Sequence, residues 1–211
     1  MAPREFLPFQ KEDKGKGFVE RRSEVCILQD KIRFYELVLN RYRQMIERNE
    51  SKTIADLKAL VEPKNETVVR IGDEIISSMR PYIYDQHFEA AAEAAHKVVR
   101  EMRTMRSPMD FWLEPKELIA LRGGDPMDKA IFLCSLLIAL ENTDSYVIVG
   151  VNTGIKVAVG YKFGNTWRLI DTTSRASVSG EKDKILNEWF GGERQVYEFN
   201  NVYYNQLKGE E

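Results

Sequence analysis

The hydrophobic pattern divides the chain into a helical first part and a strand-rich second part. Between Glu20 and Glu50, Val25, Leu28, Ile32, Tyr35, Leu39, Tyr42 and Ile46 recur at alternating spacings of three and four, which predicts one long helix carrying an a/d seam. Ile27, Phe34, Val38 and Met45 make that stripe wider than a two-stranded coil needs. The helix therefore either packs on its own chain or pairs with a second one. Thr53 is placed to cap a helix over 54–61 that Glu62-Pro63 stops, and Asn65 or Thr67 opens another that runs to Met79, before Arg80-Pro81. Asp85 is expected to cap a longer helix reaching Met105, with Ala91, Ala95, Val98, Val99, Met102 and Met105 on one face.

The pattern sharpens at Gly123-Gly124-Asp125-Pro126. The glycines break the preceding element, Asp125 can cap orphan N–H groups, and Pro126 suits the first helical position because no intrahelical N–H bond is lost there. From Ala130 to Leu140 nearly every residue is apolar, so this helix must be buried on most sides. The period then changes to that of strands over 146–151, 155–163 and 166–171, separated by Asn152-Thr-Gly154 and Gly164-Asn165 turns. These read as an antiparallel meander laid against the buried helix. A short helix over 185–189 ending at Gly191-Gly192, and a last strand or extended tail over 196–204, complete the chain.

With 211 residues and a formal net charge of −2, the chain can bury a substantial core and gives no reason to expect a nucleic-acid partner. No apolar run reaches membrane-spanning length, and Met1-Ala-Pro-Arg-Glu-Phe6 lacks the layout of a signal peptide, so the expectation is a cytoplasmic protein without membrane contact. Cys26 and Cys134 offer neither a disulfide framework nor metal-ligand spacing. No cofactor and no metal is expected, since Asp125 and Asp128 supply too few ligands for a dedicated calcium site. The expected organisation is a tail over 1–19, a helical region over 20–84 and a domain over 85–211.

The run Gly124-Asp125-x-x-Asp128-x-Ala130-x-x-Leu133-x-x-Leu136-Leu137, with Trp112-Leu-Glu-Pro-Lys-Glu117 before it and Tyr146-Val-Ile-Val-Gly150 and Trp167-Arg-Leu-Ile-Asp171 after it, resembles the transglutaminase-like superfamily and its bacterial cysteine-proteinase members. The resemblance covers about Ala91 to Asp171. It implies an α+β, papain-like core, a buried helix on an antiparallel sheet, here with an N-terminal helical arm. In that superfamily a Cys follows the Gly-Asp pair, where the helix N-terminus stabilises a thiolate. This chain has Pro126 there. The position of the family His falls on Lys156, or on Ile155 or Val157 if a loop differs by one residue, and Asp171 matches the family Asp.

The resemblance thus implies a degenerate site at Pro126, Lys156 and Asp171, beside a groove formed with Trp112, Asp125, Asp128 and Trp167. Lys156 and Asp171 are expected to form an ion pair in place of His and Asp, although Asp171 is equally suited to cap the Thr172-Thr173-Ser174 turn. The expected function is that of a catalytically inactive binding or scaffolding module, with a protein or extended peptide as partner. The alternatives are an enzyme with a rearranged site, either a hydrolase using Cys134 or an acid/base site built from Asp125, Asp128, Lys156 and Asp171, and a protein assembled as a homodimer through the 20–50 helix. His87 and His96 precede the nucleophile helix, out of the family order, and read as surface or capping residues.

Overall fold

The computed structural model describes residues 24–50, 53–105 and 111–209. The expected tail over 1–19, the start of the long helix and the Cys26 side chain lie outside the described residues. The chain divides into two units, Met1–Tyr42 and Arg43–Glu211.

The first unit holds most of helix α1 (Glu24–Glu50), which crosses the division. Leu28, Ile32, Tyr35 and Tyr42 of its seam are exposed.

The second unit begins with three helices: α2 (Ile54–Leu57), α3 (Glu66–Ile76) and α4 (Tyr84–Glu101). Thr53 and Asp56 cap α2 reciprocally, and its continuation over Lys58–Leu60 tightens to a 3₁₀ turn. Asn65 caps α3. The start of α4 departs from expectation. Its cap is Ile83, whose N–H is received by His87 Nδ1 at 2.9 Å, while Asp85 lies within the first turn. The helix also stops at Glu101 because Met102 turns extended and strand β1 (Arg103–Thr104) pairs in parallel with β2 (Gly123–Gly124). Gly123 is required by that pairing: a Cβ there would lie 2.8 Å from the Arg103 carbonyl oxygen. Between these strands runs α5 (Pro115–Leu121), capped reciprocally by Glu114 and Glu117.

Helix α6 (Pro126–Ala139) is buried from Met127 to Leu137, because α3 and α4 cover one flank and the sheet covers the other. The sheet comprises β3 (Ser145–Val151), β4 (Ile155–Phe163), β5 (Thr166–Ile170), β6 (Ser177–Gly180), β7 (Gln195–Phe199) and β8 (Tyr204–Lys208). All pairings are antiparallel, in the spatial order β6-β5-β4-β3-β7-β8. Strand alternation sorts its side chains cleanly. Val147, Val149, Val157, Val159, Tyr161 and Ile170 pack on the α6 side. Ile148, Ala158, Leu169 and Val196 turn to the other face, where helix α7 (Lys182–Phe190) covers them with Ile185 and Phe190. This is an α+β architecture.

The expected boundary at residue 85 is not a boundary between cores. Leu57, Val61, Val68 and Ile71 share one cluster with Phe88, Val99, Leu133 and Phe199, since α3 and α4 both need α6 to cover their apolar faces. The division falls at Tyr42 instead.

Candidate functional site

At the N-terminus of α6, Asp125 Oδ1 accepts from Asp128 N at 2.8 Å, and Asp128 Oδ2 accepts from Asp125 N at 3.1 Å. This closes a reciprocal capping box with two carboxylates. The other oxygen of Asp128 accepts from Leu113 N at 3.1 Å, tying the segment after Trp112 to the helix. Gly124 lets the chain pass: a Cβ there would meet Asp128 Cβ at 3.0 Å and Leu118 Cδ1 at 3.1 Å. Burial, then the charge of Asp125, pushes the Asp128 carboxyl up to about 7, although the two N–H donors pull the other way. Pro126 itself is exposed. The first residue of α6 is thus at the surface of the described residues, and it offers neither a nucleophile nor an N–H.

One turn on, Lys129 is fully buried and donates from Nζ to the Met102 carbonyl at 3.0 Å and to Thr104 Oγ1 at 3.3 Å. Burial lowers its pKa, and the negative charge of Asp171 offsets part of that effect. The turn after β5 lies close by, with Thr172 Oγ1 donating to the Pro126 carbonyl at 3.4 Å.

That turn is held by Asp171. Its Oδ1 accepts from Thr173 N at 2.6 Å and Thr173 Oγ1 at 2.7 Å, and its Oδ2 accepts from Ser174 Oγ at 2.9 Å. Burial alone would raise this carboxyl, yet the donors from Thr173 and Ser174 outweigh it and hold the group below the ordinary carboxylate range. His96, on α4, stands behind the turn. Its Nε2 lies 2.7 Å from the Asp171 carbonyl oxygen and 3.1 Å from that of Ser174. Both partners are acceptors, so this nitrogen carries the hydrogen.

The structure brings Asp125, Pro126, Asp128 and the Trp112–Leu113 segment together, with the Asp171 turn alongside through Thr172. Lys156 and Trp167 do not join them. Lys156 has the parity of Ala158, points to the α7 face, donates to the Trp189 carbonyl and lies over the Trp189 and Phe190 rings at 5.7 and 5.6 Å. The expected Lys156–Asp171 ion pair is absent because the lysine leaves the sheet on the side away from α6. Trp167 follows Leu169 to that same face, stacks on Tyr146 at 5.9 Å and receives Lys182 Nζ at 4.5 Å from its ring centroid. Of the three residues considered for the His position, Val157 faces α6.

Three contributors were missed from the sequence: His96, Lys129 and Thr172. His96 carried a readable signal, since it lies one helical turn from Ala92 and Val99 and is buried with them. Cys134 is fully buried, and burial pushes its thiol far up, out of the reactive range. Among the described residues, no group of three His, Cys, Asp or Glu side chains is placed to hold a metal ion. None of the described helices is long and apolar enough to cross a membrane. A cavity of about 280 Å³ lies elsewhere, beside α7, lined by Leu186, Phe190, Val196 and Leu207.

A buried helix packed on an antiparallel sheet and followed by strands that end in an Asp turn is the arrangement of the transglutaminase-like fold, and solved structures share it. The calcium-bound LapG of Legionella pneumophila superposes with a TM-score of 0.50 at 15% identity, over 66% of this chain and 79% of that one. The EGTA-treated LapG gives 0.49 at 13% identity, over 76% and 88%. A candidate cysteine protease of Cytophaga hutchinsonii gives 0.38 at 12% identity, over 78% and 63%. No family model matches the sequence, and no curated protein sequence matches it significantly.

Proposed function

We propose that this chain is a catalytically inactive transglutaminase-like domain that binds an extended polypeptide. One observation carries the reading: the exposed first residue of α6 is Pro126, where a covalent mechanism would need a nucleophile. Val157 on the facing strand supplies no base, and the one imidazole near the Asp171 turn, His96, is buried and donates to main-chain carbonyls. The rearranged-hydrolase alternative needs Cys134, whose burial denies it both substrate and base.

The polypeptide would add to β6, an edge strand of the sheet among the described residues, which continues from the Asp171 turn. Asp171 N donates to the Ala176 carbonyl, which sets the phase of the ladder. Alternation then directs the main-chain groups of Ser177 and Ser179 outward. The test is a peptide array read with the full chain and with a Ser177→Pro, Ser179→Pro double variant, which removes the two outward N–H groups and leaves the pairing with β5 in place. Retention of extended segments by the parent, lost in the variant, is expected. Peptidase or acyl-transfer turnover above a buffer blank would sink the inactive reading, and equal retention by both proteins would sink the β6 edge.

A further inference from the structure

Helix α1 presents the largest exposed apolar stripe among the described residues. Leu28, Ile32, Tyr35, Tyr42 and Met45 are between 49% and 61% exposed, and Phe34 at 62% and Leu37 at 69% extend the apolar surface beyond them, although a stable soluble helix normally hides such residues. The a/d spacing and the flanking charges, not exposure alone, mark the pairing face. We propose that α1 pairs in parallel, and in register, with α1 of a second copy of this chain.

The seam places Val25, Ile32, Leu39 and Ile46 at a positions and Leu28, Tyr35 and Tyr42 at d positions. Three of the four a residues are β-branched and the first d residue is leucine, the combination that favours two parallel strands, while Tyr35 and Tyr42 occupy the other d positions. The charges flanking the seam select the direction. With this assignment Lys31 is at g and Glu36 at the following e, and in a parallel pair each g residue meets the next e residue of the other chain. Lys31 and Glu36 then attract each other twice across the interface. An antiparallel pair centred on the seam would set Glu36 against Glu36 of the second copy, and lysine would meet no acid. Val38 and Met45, also at g, border the seam and become covered by the same pairing. Arg43 at e is already engaged with Glu47 at 2.6 Å and adds no repulsion. In this arrangement both chains leave the coil at the same end; on the β6-edge reading proposed above, a dimer would carry two such edges.

Sedimentation equilibrium of the full chain tests the proposal. The expected mass is twice the 24.5 kDa of the monomer. Lys31→Glu alone and Glu36→Lys alone should each weaken dimerisation roughly tenfold by turning attraction into repulsion. An equimolar mixture of the two variants should restore it, because both cross-pairs become attractive again in a parallel heterodimer. These are surface changes, and an unaltered thermal transition of the second unit confirms that folding is preserved. A monomer at about 100 µM, where a dimer of this kind would be populated by mass action, overturns the proposal. So does a dimer that is indifferent to both charge changes, or a mixture no tighter than either variant alone.

Discussion

The ring nitrogen Nε2 of His96 lies 2.7 Å from the carbonyl oxygen of Asp171, so α4 grips the turn after β5 through its main chain rather than through the carboxylate. Burial, partly opposed by these carbonyl contacts, holds the imidazole below its ordinary pKa. A histidine kept neutral in this way contributes stability above its unfolded pKa of about 6.5 and loses it as the pH falls toward the lower folded value. The His96 contribution should therefore fall between about pH 7 and pH 5, so the parent's stability relative to His96→Gln should shrink on acidification, from an advantage of about 1–2 kcal/mol at neutral pH. Parallel melts of the two proteins across that range are the check. A difference between parent and variant that stays constant or widens from pH 7 to pH 5 would refute the assignment.

Asp128 acts in the opposite sense. Its carboxyl is pushed up to about 7, so the stability it contributes is present below its unfolded pKa of about 4 and lost as the pH rises through 7. Carboxyl carbon NMR should show one aspartate titrating near 7, absent in Asp128→Asn. Asp128→Ala removes the N3 half of the capping box and the acceptor of Leu113 N, and should cost about 2 kcal/mol.

Cys134 should be inert to a disulfide reagent in the native protein and react only in denaturant. The experiment is made in a Cys26→Ser background, so that a single thiol is counted. Rapid native labelling would reopen the rearranged-hydrolase alternative.

Gly160 lies between Tyr146 of β3 and Leu169 of β5. A Cβ at this position would come within 2.7 Å of Ile148 Cδ1 and 2.9 Å of Leu169 Cδ2. Gly160→Ala should destabilise the second unit by about 1–3 kcal/mol through overpacking, measured by urea unfolding. Gly154, where an added Cβ would meet nothing within 4 Å, is the control that should tolerate the same change.

The α6 cap was legible because Asp125, Pro126 and Asp128 act through local spacing alone. The three central strands were legible because alternation survives without knowledge of partners. What failed was face. Lys156 was placed by counting back along a turn from Trp167, where an error of one residue sends every side chain of a strand to the other side of the sheet, and Trp167 was placed by motif resemblance, which does not report face. Strand β6 escaped notice because Ser177-Val-Ser-Gly180 has a single β-branched residue, and its existence rests on pairing with β5. Helix α5 escaped because its caps are glutamates, weaker signals than the Asp and Thr that opened its neighbours.

The saturation of Asp171 bears on how far this chain stands from chemistry. Introducing a thiol at 126 and an imidazole at 157 would supply two members of a triad, while the third still spent both its oxygens on Thr173 and Ser174. Installing a working triad would also require that turn to be recut and its hydroxyls freed. A designer wishing to install acyl-transfer activity on this scaffold would do better to begin at residues 172–174 than at the missing nucleophile.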